Sequence, residues 1–133
     1  VIQAVAAGRC DVGIVNTYYF GRLKRDIPNL PVAIAWPDQG EGQRGVHVNV
    51  SGAGVVRYAK NVKGAVKLLE WLSSDKAQNM FADVNFEYPA NPKVKADALV
   101  ASWGNFKHNL INVKVAGSKQ AEAVMLMDRV GYK

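Results

Sequence analysis

The fold of this chain is decided by residues 11–20, which read DVGIVNTYYF. The apolar run Val12–Val15 is short and contains a glycine, and this pattern is typical of a strand covered on both faces. Asn16 and Thr17 then end the strand and are residue types that begin helices. In open α/β folds, ligands bind beyond the carboxyl ends of such strands, where a helix N-terminus favours anionic groups. We therefore predict a candidate site at this strand-to-helix corner.

The corner presents two adjacent tyrosines, Tyr18 and Tyr19. Adjacent residues point in different directions on a helix or a strand, so two neighbouring phenols converge on one point only from an irregular corner. A phenolate is a hard anionic ligand, but a free phenol has a pKa of about 10 and needs a strong cation nearby to lose its proton at neutral pH. Ferric iron is such a cation. The spacing alone favours a plainer alternative, an aromatic pair at an interface with one ring buried.

The segments around the corner alternate between helix and strand patterns. Val1–Ala7 and Phe20–Arg25 are predicted helices, and the basic end of the second suits the helix dipole. Pro31–Trp36 is a predicted strand, and a helix between two strands is the repeating unit of α/β sheets. Residues 45–50 alternate apolar and polar side chains, which indicates a strand covered on one face. The pattern as a whole predicts an α/β fold.

The second half of the chain is predicted to be mainly helical. Asn61 and Ser74 are predicted N-caps, each followed by apolar residues at helical spacing. Residues 93–114 show no regular pattern, and no element is predicted there. Ser118 is predicted to begin the last helix, and Gly131 is predicted to end it.

Composition excludes several classes of function. The 133 residues carry a net charge of +6 at pH 7, but the basic residues are scattered, so no nucleic-acid partner is predicted. Cys10 is the only cysteine, so no internal disulfide is predicted. Two histidines and one cysteine give no zinc spacing, and the sequence has neither a Ser/His/Asp set nor a phosphate-binding loop. Tyr88 is predicted to pack rather than to bind a metal, and His47, on the polar face of its predicted strand, is not predicted to be a metal ligand.

Four ordered motifs carry a resemblance to a known family. They are NTYY at 16–19, SGAGVV at 51–56, EYPANP at 87–92 and VGYK at 130–133. With them, essentially the whole chain resembles the carboxy-terminal part of the periplasmic ferric-iron-binding proteins, the solute receptors of bacterial iron ABC importers. The resemblance implies an α/β fold of the type II periplasmic-binding-protein class, and it implies that this chain is a carboxy-terminal fragment of that two-lobed fold.

The resemblance also assigns roles to residues of the corner. It implies that Tyr18 and Tyr19 coordinate Fe(III) and that Asn16 helps to hold a synergistic anion such as carbonate or phosphate. Thr17 stands where many family members have a second asparagine. The remaining iron ligands are expected from earlier segments of the receptor, so the expected partners are the missing amino-terminal part and an inner-membrane ABC permease. The expected location is the periplasm, and no enzymatic activity is expected.

The family's two lobes give an expected division of the chain. Residues 1–44 would belong to the second lobe and carry the tyrosine pair, and residues 45–51 would be a hinge crossover. Residues 52–97 would return to the first lobe, and residues 98–133 would lie back on the second. The chain begins within a predicted helix, without a methionine, a cap or a signal peptide, which agrees with the expected fragment.

Two alternatives for function stay open. One is a receptor for another small anionic or organic solute, with the tyrosines as stacking or hydrogen-bonding groups. The other is an enzyme that uses a tyrosine as general acid or base. The enzyme alternative lacks a partnering histidine, lysine or carboxylate near the pair in the sequence.

Overall fold

The computed structural model describes residues 1–132, and Lys133, the last residue of the fourth motif, lies outside them. The regular structure of the described residues is helical. The helices are α1 (Ile2–Ala6), α2 (Thr17–Asp26), α3 (Val62–Leu72), α4 (Asp75–Asn85), α5 (Ala98–Ala101), α6 (Val113–Ser118) and α7 (Gln120–Arg129). None of the helices within residues 1–132 has the length and apolar character needed to cross a membrane.

Local side-chain chemistry explains where the central helices begin. The Asn61 side chain accepts a hydrogen bond from the Gly64 backbone N–H at 2.9 Å, which caps α3. The Ser74 hydroxyl accepts one from the Ala77 N–H at 3.3 Å, which caps α4. Both N-caps were predicted, and both predictions are confirmed.

The carboxy-terminal helix prediction is partly wrong. Ser118 ends α6 rather than beginning the last helix, and α7 starts at Gln120. The reason is an earlier cap, because the Asn112 side chain accepts a hydrogen bond from the Lys114 N–H at 2.9 Å and begins α6. Gly131 follows α7 with a φ of +67°, as expected for a glycine that ends a helix.

The predicted strands do not form a sheet within residues 1–132. The only strand-type pairing there is one parallel bridge between Val46 and His108. Val12 is 82% exposed and Ile14 is 100% exposed, so the prediction of a strand covered on both faces is wrong for this chain. An apolar run indicates that a segment is suited to burial, but burial requires paired edges and a covering layer. Residues 1–132 supply neither around Val12–Val15.

The described residues divide into two compact units. The first contains residues 1–35 and 49–105, and the second contains residues 36–48 and the chain from Phe106 onward. The predicted division into lobes, with a hinge at residues 45–51, stays a prediction.

The first unit has its core beneath α2. Three buried side chains form the centre of this core: Ile2, Phe20 and Leu30. Partly buried neighbours surround them: Ala6, Leu23, Val32, Ile34 and Trp103. Because Phe20 follows the two tyrosines directly, its burial fixes the helix that carries them.

The second unit is held by contacts between two loop segments. The rings of Trp36 and Phe106 are stacked with their centroids 4.3 Å apart. The Gln39 side chain accepts a hydrogen bond from the Lys107 N–H at 2.6 Å and donates one to the Lys107 carbonyl at 3.0 Å. The Val46 N–H also donates to that carbonyl, at 2.9 Å.

Candidate metal centre

The two tyrosines lie side by side in the first turn of α2. The helix begins at Thr17, so Tyr18 and Tyr19 directly follow its first residue. Their ring centroids are 4.5 Å apart, and the ring planes are tilted by 46°. Tyr18 is half-buried, whereas Tyr19 is 47% exposed. The two phenol rings therefore lie together at the surface of the first unit, but both residues are helical and do not form the irregular corner that the sequence predicted.

The phenols also interact through their hydroxyl groups. The pKa of Tyr18 is raised above its ordinary value, chiefly by a hydrogen bond with the Tyr19 side chain and then by desolvation. The nearby charge of Glu87 raises the same pKa further, whereas a hydrogen bond from Asn16 lowers it. The raised pKa favours the protonated form of Tyr18 when no cation is present. A highly charged cation between the two oxygens would reverse this balance, since opposite charge favours the ionised phenols.

Asn16 contacts the pair directly. It occupies the N-cap position of α2, but its side chain makes no capping hydrogen bond to the helix backbone. Its side-chain amide instead donates to the Tyr18 hydroxyl at 3.2 Å. The expected helix-capping role of this side chain is therefore not seen, because the amide is turned toward the phenol. Its predicted role in anion binding stays a prediction.

Arg22 is a site neighbour that sequence reasoning missed. It was interpreted only as a basic residue suited to the helix dipole. In the structure its guanidinium lies over the Tyr18 ring, 5.3 Å from the centroid, and donates to the Asn85 side chain at 3.5 Å. The spacing of four residues between Tyr18 and Arg22 was the available signal, because residues at i and i+4 are neighbours on a helix.

Within the described part of the chain, the other titratable residues do not form a candidate metal site. Within residues 1–132, no three His, Cys, Asp or Glu side chains come together in a way that could hold a metal ion. His47 and Cys10 are exposed. Tyr88 packs edge-on against Trp103, with ring centroids 6.3 Å apart, and this agrees with its predicted packing role. The tyrosine pair is therefore the candidate metal centre.

Comparison with known sequences gives one family and several relatives. The family model of the bacterial extracellular solute-binding proteins matches residues 1–79. The chain is 42% identical to iron uptake protein A2 of Synechocystis sp., over 99% of this chain and 40% of that protein. It is 43% identical to iron uptake protein A1 of the same organism, over 99% of this chain and 38% of that protein. This chain thus spans about 40% of the length of these curated relatives.

Comparison with solved structures gives the same picture. A Trichodesmium protein (IdiA, FutA), solved in complex with iron and citrate ligands, matches with a TM-score of 0.89 and 45% identity. The match covers 99% of this chain and 43% of that one. A ferric binding protein from Campylobacter jejuni matches with a TM-score of 0.91 and 32% identity, over 99% of this chain and 43% of that one.

Proposed function

Because this chain belongs to the bacterial extracellular solute-binding proteins, we propose that it forms part of a receptor that binds ferric iron and delivers it to an ABC importer. Its predicted fold class is confirmed, since the solved neighbours are ferric-binding proteins with the type II fold. The observation that carries the proposal is the contact between the Tyr18 and Tyr19 rings, whose centroids are 4.5 Å apart.

The proposed ligands are the two phenolate oxygens of Tyr18 and Tyr19. Ferric iron prefers hard anionic oxygen, and its positive charge would favour the ionised form of the phenols that bind it. Asn16 would stabilise the Tyr18 phenolate by donating its amide hydrogen bond. The Arg22 guanidinium would add positive charge above the same ring. Two phenolates leave most of an octahedral shell open, so we propose that the rest of the receptor supplies further ligands.

A bound anion is proposed to complete the coordination of the iron. The hydrogen bond from the Asn16 amide to the Tyr18 hydroxyl, at 3.2 Å, supports a role for Asn16 near the proposed iron. The Trichodesmium relative was solved with both iron and citrate, which supports an anionic co-ligand. Carbonate and phosphate are the candidates that the family resemblance implies.

The proposed partners follow from the family. Extracellular solute-binding proteins work with a membrane permease, and we propose an inner-membrane ABC permease and a periplasmic location for this receptor. The relatives are solute-binding transport proteins, and we propose no catalytic step for this chain. We further propose that the apolar side chains of Val12 and Ile14, exposed in this chain, are covered by the remaining part of the receptor.

The proposal is tested by adding ferric citrate to the natural protein, in the longest form that contains these residues. We expect a visible phenolate-to-iron charge-transfer band that weakens in Tyr18→Phe and in Tyr19→Phe. A band that both variants leave unchanged would show that the site is elsewhere. A protein that stays colourless with ferric salts would favour a receptor for another small solute.

A further inference from the structure

Gln78 links the segment that carries the EYPANP motif to the junction between α3 and α4 through hydrogen bonds of its side chain. The Gln78 side chain accepts hydrogen bonds from the backbone N–H groups of Ala90, at 2.7 Å, and Asn91, at 3.3 Å. The same side chain donates to the Leu72 carbonyl at 2.8 Å. Gln78 therefore joins the end of α3, its own helix α4 and the motif segment.

Asn91 makes a second set of hydrogen bonds at the same place. Its amide donates to the Ser73 carbonyl at 3.1 Å and to the Asp75 carboxylate at 2.8 Å. Its side-chain oxygen accepts from the Lys93 N–H at 3.0 Å. The carboxy-terminal end of the motif is thereby fixed to the start of α4.

The other end of this segment begins at the carboxy-terminal end of α4. Phe86 is buried, has a φ of +57° and donates its backbone N–H to the Ala82 carbonyl at 3.2 Å. A left-handed conformation is unusual for a bulky residue and persists only where the surroundings hold it. Residues 86–91 are thus held at both ends.

Helix α2 packs directly against this held segment. A Cβ atom built on Gly21 would lie 2.6 Å from the Phe86 Cβ, so the helix backbone and Phe86 are in close contact. The Arg25 guanidinium lies 5.5 Å from the centre of the Phe86 ring. The rings of Phe20 and Tyr88 both contact Trp103, at centroid distances of 5.9 Å and 6.3 Å. A displacement of Phe86 would therefore displace α2.

Gly21 and the tyrosines belong to the same turn of α2. Residues three and four positions apart are neighbours on a helix, so Tyr18 and the Gly21–Arg22 pair share one side of it. We propose that Gln78 is a positioning residue for the tyrosine pair, acting through residues 86–91 and their contact with α2. Its hydrogen bonds hold the surface on which α2 rests, and that surface sets where the two phenol oxygens point.

The inference rests on the proposed iron function for its biological meaning, but its geometry is tested without iron. The test uses the natural protein, in its longest form, with ¹³C-labelled tyrosine and no added metal. In Gln78→Leu, which removes every side-chain hydrogen bond of this residue, we expect the ring resonances of Tyr18 and Tyr19 to shift. In Gln78→Glu, which keeps oxygen acceptors for Ala90 and Asn91, we expect a smaller shift.

Asn79→Ala is the matched control. Asn79 is the next residue in α4, and its side chain donates to the Asp75 carbonyl at 2.7 Å within the helix. We expect this variant to change stability little, because alanine favours the helix, while the Tyr18 and Tyr19 resonances stay in place. Tyrosine resonances that stay unchanged in folded Gln78→Leu, or that shift equally in Asn79→Ala, would overturn the inference.

Ferric binding gives the second readout. Substitution of groups that orient metal ligands typically lowers metal affinity by about 10-fold to 100-fold. Gln78 acts through intervening residues and does not contact a ligand, so in Gln78→Leu we expect a loss below this range, of about two- to fivefold, measured by competition with citrate, together with a shifted charge-transfer band. If native protein binds no ferric iron, the proposed function fails while the resonance test still decides the positioning role. Native iron affinity and an unchanged band in Gln78→Leu would overturn that role.

Discussion

The close contact between α2 and Phe86 predicts that a glycine-to-alanine substitution in this helix destabilises the protein, although such substitutions usually stabilise helices. Alanine in place of a helical glycine normally stabilises a helix, by about 1 kcal/mol. At Gly21 the added Cβ would lie 2.6 Å from the Phe86 Cβ, whereas ordinary contact begins at 3.4 Å. Gly21→Ala therefore requires α2 or Phe86 to move by about 0.8 Å. Overpacking of this kind costs about 1–3 kcal/mol.

The expected net effect of Gly21→Ala is a destabilisation of up to about 2 kcal/mol, because the overpacking cost outweighs the gain in helix propensity. Gly117 in α6 is the matched control, since a Cβ added there meets no atom within 4 Å. Gly117→Ala is expected to be neutral or stabilising, by at most about 1 kcal/mol.

Both variants are assayed by urea unfolding, in the longest form of the natural protein. If the dependence of the unfolding free energy on urea concentration is the same for each variant, the urea midpoints report their relative stabilities. Gly21→Ala is also expected to weaken ferric binding, because the shift of α2 moves the tyrosines. A Gly21→Ala variant that is stabilised as much as Gly117→Ala, with native iron affinity, would refute the close-packing argument.

Three further predictions concern the surroundings of the site. Arg22→Gln is expected to weaken ferric binding by about two- to fivefold, which corresponds to the free energy of an exposed cation–π contact. Competition with a chelator measures this affinity, and Arg22→Lys is expected to weaken it less. Asn16→Ala removes the hydrogen bond to the Tyr18 hydroxyl and is expected to lower iron affinity by about three- to tenfold; equal affinity in calorimetry would argue against that bond. Burial raises the pKa of Tyr88, so its contribution to stability is complete below about pH 10 and is lost as the pH rises through the raised value. When the pH is raised from 8 to about 11, the free energy of unfolding should therefore fall less in Tyr88→Phe than in native protein. Equal losses, measured by urea unfolding, would contradict this.

The helix starts could be predicted from the sequence because the deciding interactions are local. Asn61 and Ser74 each cap a helix through a backbone N–H three residues away. The tyrosine pair could be located for the same reason, since a helix that begins at Thr17 places both phenols in its first turn. Ser118 was misassigned because Asn112 offered an earlier cap.

The strand assignments depended on partners that a local pattern does not contain. Val12 and Ile14 have the character of a covered strand, yet their side chains are 82% and 100% exposed. The chain spans about 40% of the length of its curated relatives, so a pattern suited to a sheet need not find its neighbours within these residues. The resemblance supplied the fold class, which the solved neighbours confirm.

Long-range contacts around the site also could not be predicted from the sequence. Gly21 and Phe86 are far apart in the chain, and no periodicity links them. The hydrogen bonds from Gln78 to Ala90 and Asn91 likewise join a helix face to an irregular segment. The motif at residues 87–92 carries part of the family resemblance, but the hydrogen bonds between its backbone and Gln78 are seen only in the structure.

We propose that Tyr18 and Tyr19 together hold one ferric ion. The most direct measurement is anomalous diffraction at the iron absorption edge, from crystals of the natural protein grown with ferric citrate. We expect one iron peak within bonding distance of both hydroxyl oxygens. An iron peak that contacts neither tyrosine would contradict it.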